Sequence, residues 1–151
     1  MSITHNYEVR LNWLSSRLGL LTSPELEDSI AVVTPPEFPG GMKGVWSPEH
    51  LLVASVSSCL MTTFLAIAEK SQLEFERFEC PASGKLEMVD GKYMITEITL
   101  MPILVIPTTH DVAKAERVLQ KAEANCLISN SVRSKIIFEP KVETLTVLHQ
   151  A

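Results

Sequence analysis

The chain has 151 residues, 46% hydrophobic and 21% charged, with a formal net charge of −5. That length suits one domain with a sizeable core, and that composition excludes disordered and fibrous classes. The 13 basic residues are scattered among 18 acidic ones with no basic run, which excludes a phosphate-tracking surface, so no nucleic acid is expected as a partner.

The opening residues, MSITHNYEVR, carry no apolar leader segment. Three cysteines, Cys59, Cys80 and Cys126, leave one over in any pairing. Together these features point to a reducing, cytoplasmic setting with thiols present for packing or reactivity. Residues 3–13 and 28–34 read as strands from their β-branched and aromatic content, and Pro35-Pro36-Glu37-Phe38-Pro39-Gly40-Gly41 reads as a loop. A helix start follows: Ser47 can cap, Pro48 suits the first helical position, and Glu49 favours the dipole of the first turn. The helix is expected to run to about Ser71. From Leu51 to Ala68 it is apolar on nearly every face, so burial on most sides is expected, with a second subunit helping to cover it. Interruption by Ser55, Ser57, Ser58, Thr62 and Thr63 and the lack of basic flanks argue against a membrane span.

Phe75 to Val89 and Lys92 to Ile106 read as strands around the hairpin signal Asp90-Gly91. Pro102 and Pro107 put the second of them near an edge or break it in two. Thr108 or Thr109 can cap a second helix with Asp111 in its first turn. Its apolar positions Val112, Ala115, Leu119, Ala122 and Cys126 form one helical stripe with Cys126 at its end. Ile136 to Phe138 and Lys141 to Leu148 read as strand with a break at Pro140. The order β-β-α-β-β-α-β implies an α+β architecture.

The four histidines share no ligand spacing with each other or with cysteine, so no metal is expected. Gly40-Gly41-Met42-Lys43-Gly44 lacks the spacing of a phosphate loop, and no GxSxG elbow occurs, so no cofactor is expected. The cysteines remain. Each can be a small buried hydrophobe, and Cys80, before a proline, reads that way. Cys59 and Cys126 sit at apolar positions of two core helices. There they are either packing residues or two facing thiols, which can join if their Cα atoms come within roughly 7 Å. An apolar setting alone would make Cys59 inert, so a reactive Cys59 needs a positive group beside it. The candidates are Arg10, Arg17 and Lys43, with Glu49 to orient a guanidinium. Glu49 and Cys59 are ten residues apart, about 15 Å along one helix. Two antiparallel copies of this helix, from two chains, would bring them together.

These residues resemble the OsmC/Ohr family, the osmotically inducible and organic hydroperoxide resistance thiol peroxidases. The resemblance rests on Ser47-Pro48-Glu49-His50-Leu51-Leu52, Ala54 and Ser58-Cys59, then on Ala122-Glu123-Ala124-Asn125-Cys126-Leu127-Ile128-Ser129-Asn130. It covers residues 5–147, so a single domain over residues 1–151 is implied. It further implies an intertwined α+β homodimer, antiparallel sheets around two central helices, and sites at the subunit interface. Cys59 would be the peroxidatic thiolate, attacking an organic hydroperoxide, and Cys126 would close a disulfide with its sulfenic acid. A dithiol, lipoyl groups in the better-known relatives, would restore the pair. Arg17 matches the family's arginine and Glu49 the glutamate that holds it.

The chain departs from the hydroperoxide-resistance branch in Ser15-Ser16-Arg17-Leu18-Gly19, where glycines are common, and in Val45-Trp46-Ser47-Pro48-Glu49, where Gly-Thr-Asn-Pro-Glu is common. Leu127 stands where many relatives carry proline. Phe38, Met42, Trp46 and Met61 are either lining for an apolar hydroperoxide or ordinary packing. The alternative function is a non-enzymatic dimer of the same fold that binds an apolar small molecule. A general thiol–disulfide oxidoreductase would carry the CxxC absent here.

Overall fold

The computed structural model describes residues 2–145, and the chain forms two compact units that divide after Leu51. The first unit is an antiparallel meander of β1 (Arg10–Ser15), β2 (Leu18–Ser23) and β3 (Leu26–Val33). Ser16 takes a positive φ of 48° in the first turn, which the Trp13 indole closes by donating to the Ser16 carbonyl at 3.0 Å. The strand expected over 3–13 therefore starts only at Arg10. Its partner β2 ends at Ser23, and the last aligned pair is Arg10 with Thr22, so residues before Arg10 have no ladder to join. The segment from Leu18, between the two expected strands, is itself strand β2. Gly19 masked it, being a poor strand former; a Cβ there would sit 3.0 Å from Leu11 Cδ1.

The loop after β3 folds back on itself. Met42 N–H donates to the Thr34 carbonyl at 3.0 Å, and Val33 N–H to the Trp46 carbonyl at 2.9 Å. Gly41 is required in that loop, because a Cβ would collide with the Pro35 backbone. Ser47 then caps α1 (Pro48–Lys70): its Oγ accepts from His50 N–H at 3.2 Å and lies 2.6 Å from His50 Nδ1.

The second unit holds the rest of α1, α2 (Val112–Ala124) and two three-stranded sheets. One sheet has the order β5-β6-β8, the other β4-β7-β9. Its six strands are β4 (Arg77–Glu79), β5 (Ala82–Val89), β6 (Lys92–Leu100), β7 (Ile103–Ile106), β8 (Lys135–Phe138) and β9 (Lys141–Thr144). Prolines make this division. Pro81, Pro102 and Pro140 each interrupt what would be one long strand, and the two halves join different sheets. The breaks line up, with Met101 N–H on the Pro81 carbonyl at 2.9 Å and Lys141 N–H on the Pro102 carbonyl at 2.8 Å. Each proline lacks an N–H for the ladder, so a continuous sheet cannot pass through them. Both long strands expected over 75–89 and 92–106 are thus broken, the second at Pro102 as foreseen. The Asp90-Gly91 hairpin forms with both residues at positive φ, 50° and 78°, as a type I′ turn requires. The final strand ends at Thr144 within the described residues; residues 146–148 of the expected strand lie outside them.

By length and composition α1 could cross a membrane, yet in the second unit it serves as a core helix. Val56, Leu60, Phe64 and Ala68, spaced by four, are at most 2% exposed. Phe64 stacks on Phe78 at 4.7 Å and meets Phe75 edge-on at 5.1 Å. Deleting such a ring costs about 3–5 kcal/mol. Gly84 on β5 lets the helix approach, since a Cβ there would fall 2.6 Å from Val53 Cγ2. Burial on most sides is not observed. Met61 and Leu65 remain about 40% exposed, because only one stripe of the helix faces this unit's sheets. The helix stops where Leu73 N–H reaches the Ala68 carbonyl and Gln72 N–H the Glu69 carbonyl, a Schellman motif with Gln72 at φ 54°. The α2 stripe is as expected: Ala115, Leu119, Ala122 and Cys126 are fully buried. Its start differs. A 3-10 turn, Thr109–Asp111, precedes it, and neither Thr108 nor Asp111 makes a side-chain cap.

Candidate functional site

Helix α1 carries five hydroxyls around Cys59, and four are committed to backbone carbonyls. Ser55 donates to Leu52, Ser57 to Cys80, Ser58 to Ala54 and Thr62 to Cys59, at 2.7 to 3.0 Å. The fifth, Thr63 Oγ1, instead faces Cys59 Sγ at 4.0 Å.

The other half of the site is the turn after α2. The helix ends at Ala124, and Asn125 caps it, donating through both backbone and Nδ2 to the Lys121 carbonyl. Asn130 N–H closes on the Cys126 carbonyl at 3.1 Å, and Ser131 Oγ donates to the Leu127 carbonyl at 2.9 Å. Asn and Ser are suited to tying such a turn. Within it Cys126 is fully buried, with its sulfur 3.9 Å from the Val56 carbonyl. The turn also aims backbone N–H groups at the other thiol.

The two thiols are close enough to influence each other's ionisation, and their acidities diverge. Partial burial pushes the Cys59 thiol up. The Ile128 N–H, the Cys126 S–H, the Thr63 hydroxyl and the Leu127 N–H all favour its thiolate and bring it below its ordinary value. Burial pushes Cys126 up. The hydroxyl and N–H of Ser129 oppose that, but Cys59, as hydrogen-bond acceptor and as negative charge, adds to it, and the net direction is up. Cys59 is therefore the more acidic of the two thiols and Cys126 the less acidic. Cys80 is also raised, by burial first.

The remaining expected site residues lie in the first unit. Arg17 is exposed in the turn between β1 and β2, its side chain across Gly40. Glu49 is half-buried in the first turn of α1. Among the described residues of one chain no ion pair joins Arg17 to Glu49. Met42 and Trp46 line an open cavity of about 540 Å³ with Lys43, Val45 and His50. Phe38 is absent from that lining, and Met61 is on the surface of α1 in the second unit. No three His, Cys, Asp or Glu side chains cluster as metal ligands among the described residues.

Sequence reasoning sought a cation for Cys59 and overlooked four groups: Thr63, the backbone at Leu127 and Ile128, and Ser129. The i, i+4 spacing of Cys59 and Thr63 was a usable signal. Main-chain donors leave no letter to read.

The chain is 28% identical over 137 residues to the uncharacterized protein YmaD of Bacillus subtilis (strain 168), covering 87% of this chain and 89% of that protein. It is 24% identical over 104 residues to peroxiredoxin OsmC of Escherichia coli (strain K12), covering 69% and 71%. Among solved structures, an OsmC-like protein of unknown function from Vibrio cholerae matches with a TM-score of 0.82 at 25% identity, over 91% of this chain and 99% of that one. The family model described as OsmC-like protein matches residues 41–141, and the α+β arrangement agrees with it: the chain belongs to the OsmC/Ohr family.

Proposed function

We propose that this chain is a cysteine-based hydroperoxide reductase, with Cys59 as the attacking thiolate and Cys126 as its resolving thiol. One observation carries the reading: two neighbouring thiols of opposite character on one core, Cys59 lowered and half-exposed, Cys126 raised and fully buried. The peroxiredoxin name of the Escherichia coli relative agrees with it. The Cys59 thiolate attacks the distal oxygen of R–O–O–H. The O–O bond breaks, the alkoxide leaves and takes a proton, and sulfur becomes a sulfenic acid. That step removes the negative charge from Cys59, and with it the influence that kept Cys126 protonated. Cys126 then loses its proton more readily and attacks the Cys59 sulfur. The S–O bond breaks, hydroxide takes a proton and leaves as water, and a Cys59–Cys126 disulfide remains. A dithiol, of lipoyl or similar type, reduces it by exchange, which suits a reducing cytoplasm.

Homodimerisation belongs to the same reading. Leu11 is 62% and Trp13 74% exposed, and every residue of β1 is exposed. A small meander with bare apolar strands needs cover. Arg17 and Glu49 would act in the dimer, across the interface from the cysteine pair.

The test is a thiol count and disulfide map before and after one equivalent of an organic hydroperoxide. Loss of two thiols per chain with a Cys59–Cys126 linkage is expected, and Cys59→Ser should stop peroxide consumption while the dimer survives. Retained turnover in that variant would sink the proposal. The cavity at Met42 and Trp46 favours a second reading, a dimer that binds an apolar small molecule without turning it over. A Cys59 pKa at or above the ordinary value of about 8.5 would favour that reading.

A further inference from the structure

Ser129 Oγ is buried without a hydrogen-bond partner, and the residue is only 9% exposed. A hydroxyl in that state destabilises the fold unless it serves something. It lies near the Cys126 sulfur, close enough for its hydroxyl and its N–H both to favour the Cys126 thiolate. The turn enforces this. Asn130 N–H on the Cys126 carbonyl and Ser131 N–H on the Ile128 carbonyl wrap residues 126–131 into one and a half helical turns, so Ser129 returns above Cys126. Cys126 is fully buried, so water cannot solvate its charge.

We propose that Ser129 is a positioning residue for the second step: its hydroxyl donates to Cys126 Sγ as that sulfur loses its proton, and holds it toward the Cys59 sulfenic acid. While Cys126 is a thiol, its S–H donates to the Val56 carbonyl at 3.9 Å and the Ser129 hydroxyl has nothing charged to bind. Once Cys59 is oxidised, the negative charge moves to Cys126, and Ser129 is the nearest hydroxyl to receive it. The unpartnered state in the reduced protein is the resting half of that cycle. Proton and electron balance are those of disulfide closure: the S–S bond forms, the S–O bond breaks, and the Cys126 proton leaves with hydroxide as water. The inference rests on the peroxidase reading for its purpose, but not for its chemistry.

The test uses Ser129→Ala and Ser129→Thr, the latter keeping the hydroxyl. In a Cys59→Ser background, thiolate absorbance is titrated against pH, with a Cys126→Ser double variant to isolate the Cys126 signal. Ser129→Ala should move the Cys126 midpoint up, and Ser129→Thr should restore it. In the chain with both cysteines, sulfenic acid formed by tert-butyl hydroperoxide is trapped with dimedone, and disulfide closure is followed by mass. Sulfenic acid should form in Ser129→Ala within about twofold of the parent rate, while closure slows about tenfold and its pH profile shifts upward. Ser129→Ala should melt no lower than the parent, because an unpartnered hydroxyl contributes no stability. An unmoved Cys126 midpoint, or closure with unchanged rate and pH profile, would overturn the inference. If the parent forms no sulfenic acid, the peroxidase reading fails, and the titration alone decides the role of Ser129.

Discussion

Cys59 and Cys80 are both half-buried thiols of the second unit, both beside the same core, yet their acidities move in opposite directions. Burial acts on both in the same sense. What differs is the state of the donors around them. Near Cys80 stand the Ser57 hydroxyl and the Met101 N–H, and both favour its thiolate. Each is already committed, Ser57 to the Cys80 carbonyl at 2.8 Å and Met101 to the Pro81 carbonyl at 2.9 Å. The nearby Cys126 adds a like charge that opposes ionisation. Near Cys59 the Ile128 and Leu127 N–H groups and the Thr63 hydroxyl favour its thiolate, and the Thr63 hydroxyl faces the sulfur itself at 4.0 Å. A buried thiol becomes a nucleophile when donors around it have no better acceptor, and stays inert when the backbone has claimed them.

The widest separation to measure is the native contrast itself. At pH 7, iodoacetamide should label Cys59 at least about tenfold faster than Cys80, read by peptide mass after short exposure. The sign with pH follows from the two shifts. The Cys59 thiolate persists as pH falls below the ordinary thiol value, so its labelling declines late on acidification. Cys80 labelling rises only above that value. Equal rates at pH 7 with parallel pH profiles would break the comparison.

A sharper cut removes one donor. Leu127→Pro deletes the N–H while keeping an apolar side chain, and Leu127→Ala keeps the N–H while deleting most of the side chain. Cys59 labelling should fall about tenfold in the first and stay near the parent rate in the second, with Cys80 unmoved in both. If both variants slow Cys59 alike, the side chain matters and the backbone does not.

That donor explains why the fold was more legible than the site. The stripe Val112, Ala115, Leu119, Ala122 and Cys126 is written at helical spacing, and burial of Ala115, Leu119, Ala122 and Cys126 follows from it. Ser47-Pro48-Glu49 announces α1, and Asp90-Gly91 announces its hairpin. The two cysteines on two core helices could be read as neighbours. The strand breaks were only half legible: Pro102 was visible as a break, but Pro81 was not, because Arg77-Phe78-Glu79 before it and Lys85-Leu86-Glu87-Met88 after it alternate polar and apolar alike and read as one strand. The β2 strand was lost to Gly19, whose missing side chain makes room for Leu11. The donors around Cys59 were least legible. Arginine is a letter and invites a search, whereas a main-chain N–H is common to nearly every residue. Only the turn geometry selects which two of them meet the sulfur.

The smallest expected effect tests the same rule with two adjacent side chains. Thr62 and Thr63 are one residue apart on α1 and chemically identical. Thr62 Oγ1 donates to the Cys59 carbonyl at 3.0 Å, the ordinary back-bond of a helical threonine. Thr63 Oγ1 lies 4.0 Å from the Cys59 sulfur, a long contact even for sulfur. Valine matches threonine in shape and removes only the hydroxyl. Thr63→Val should slow Cys59 labelling about twofold to fourfold, a modest loss that suits the long distance and the half-exposed sulfur. Thr62→Val should leave it unchanged, since that hydroxyl never served the thiol. The pair separates donor commitment from proximity: both hydroxyls are near Cys59, and only the uncommitted one should matter. Equal slowing by both would mean that polarity along the helix, not a directed hydrogen bond, sets the thiol's acidity. The contrast with Cys80 would then need another cause.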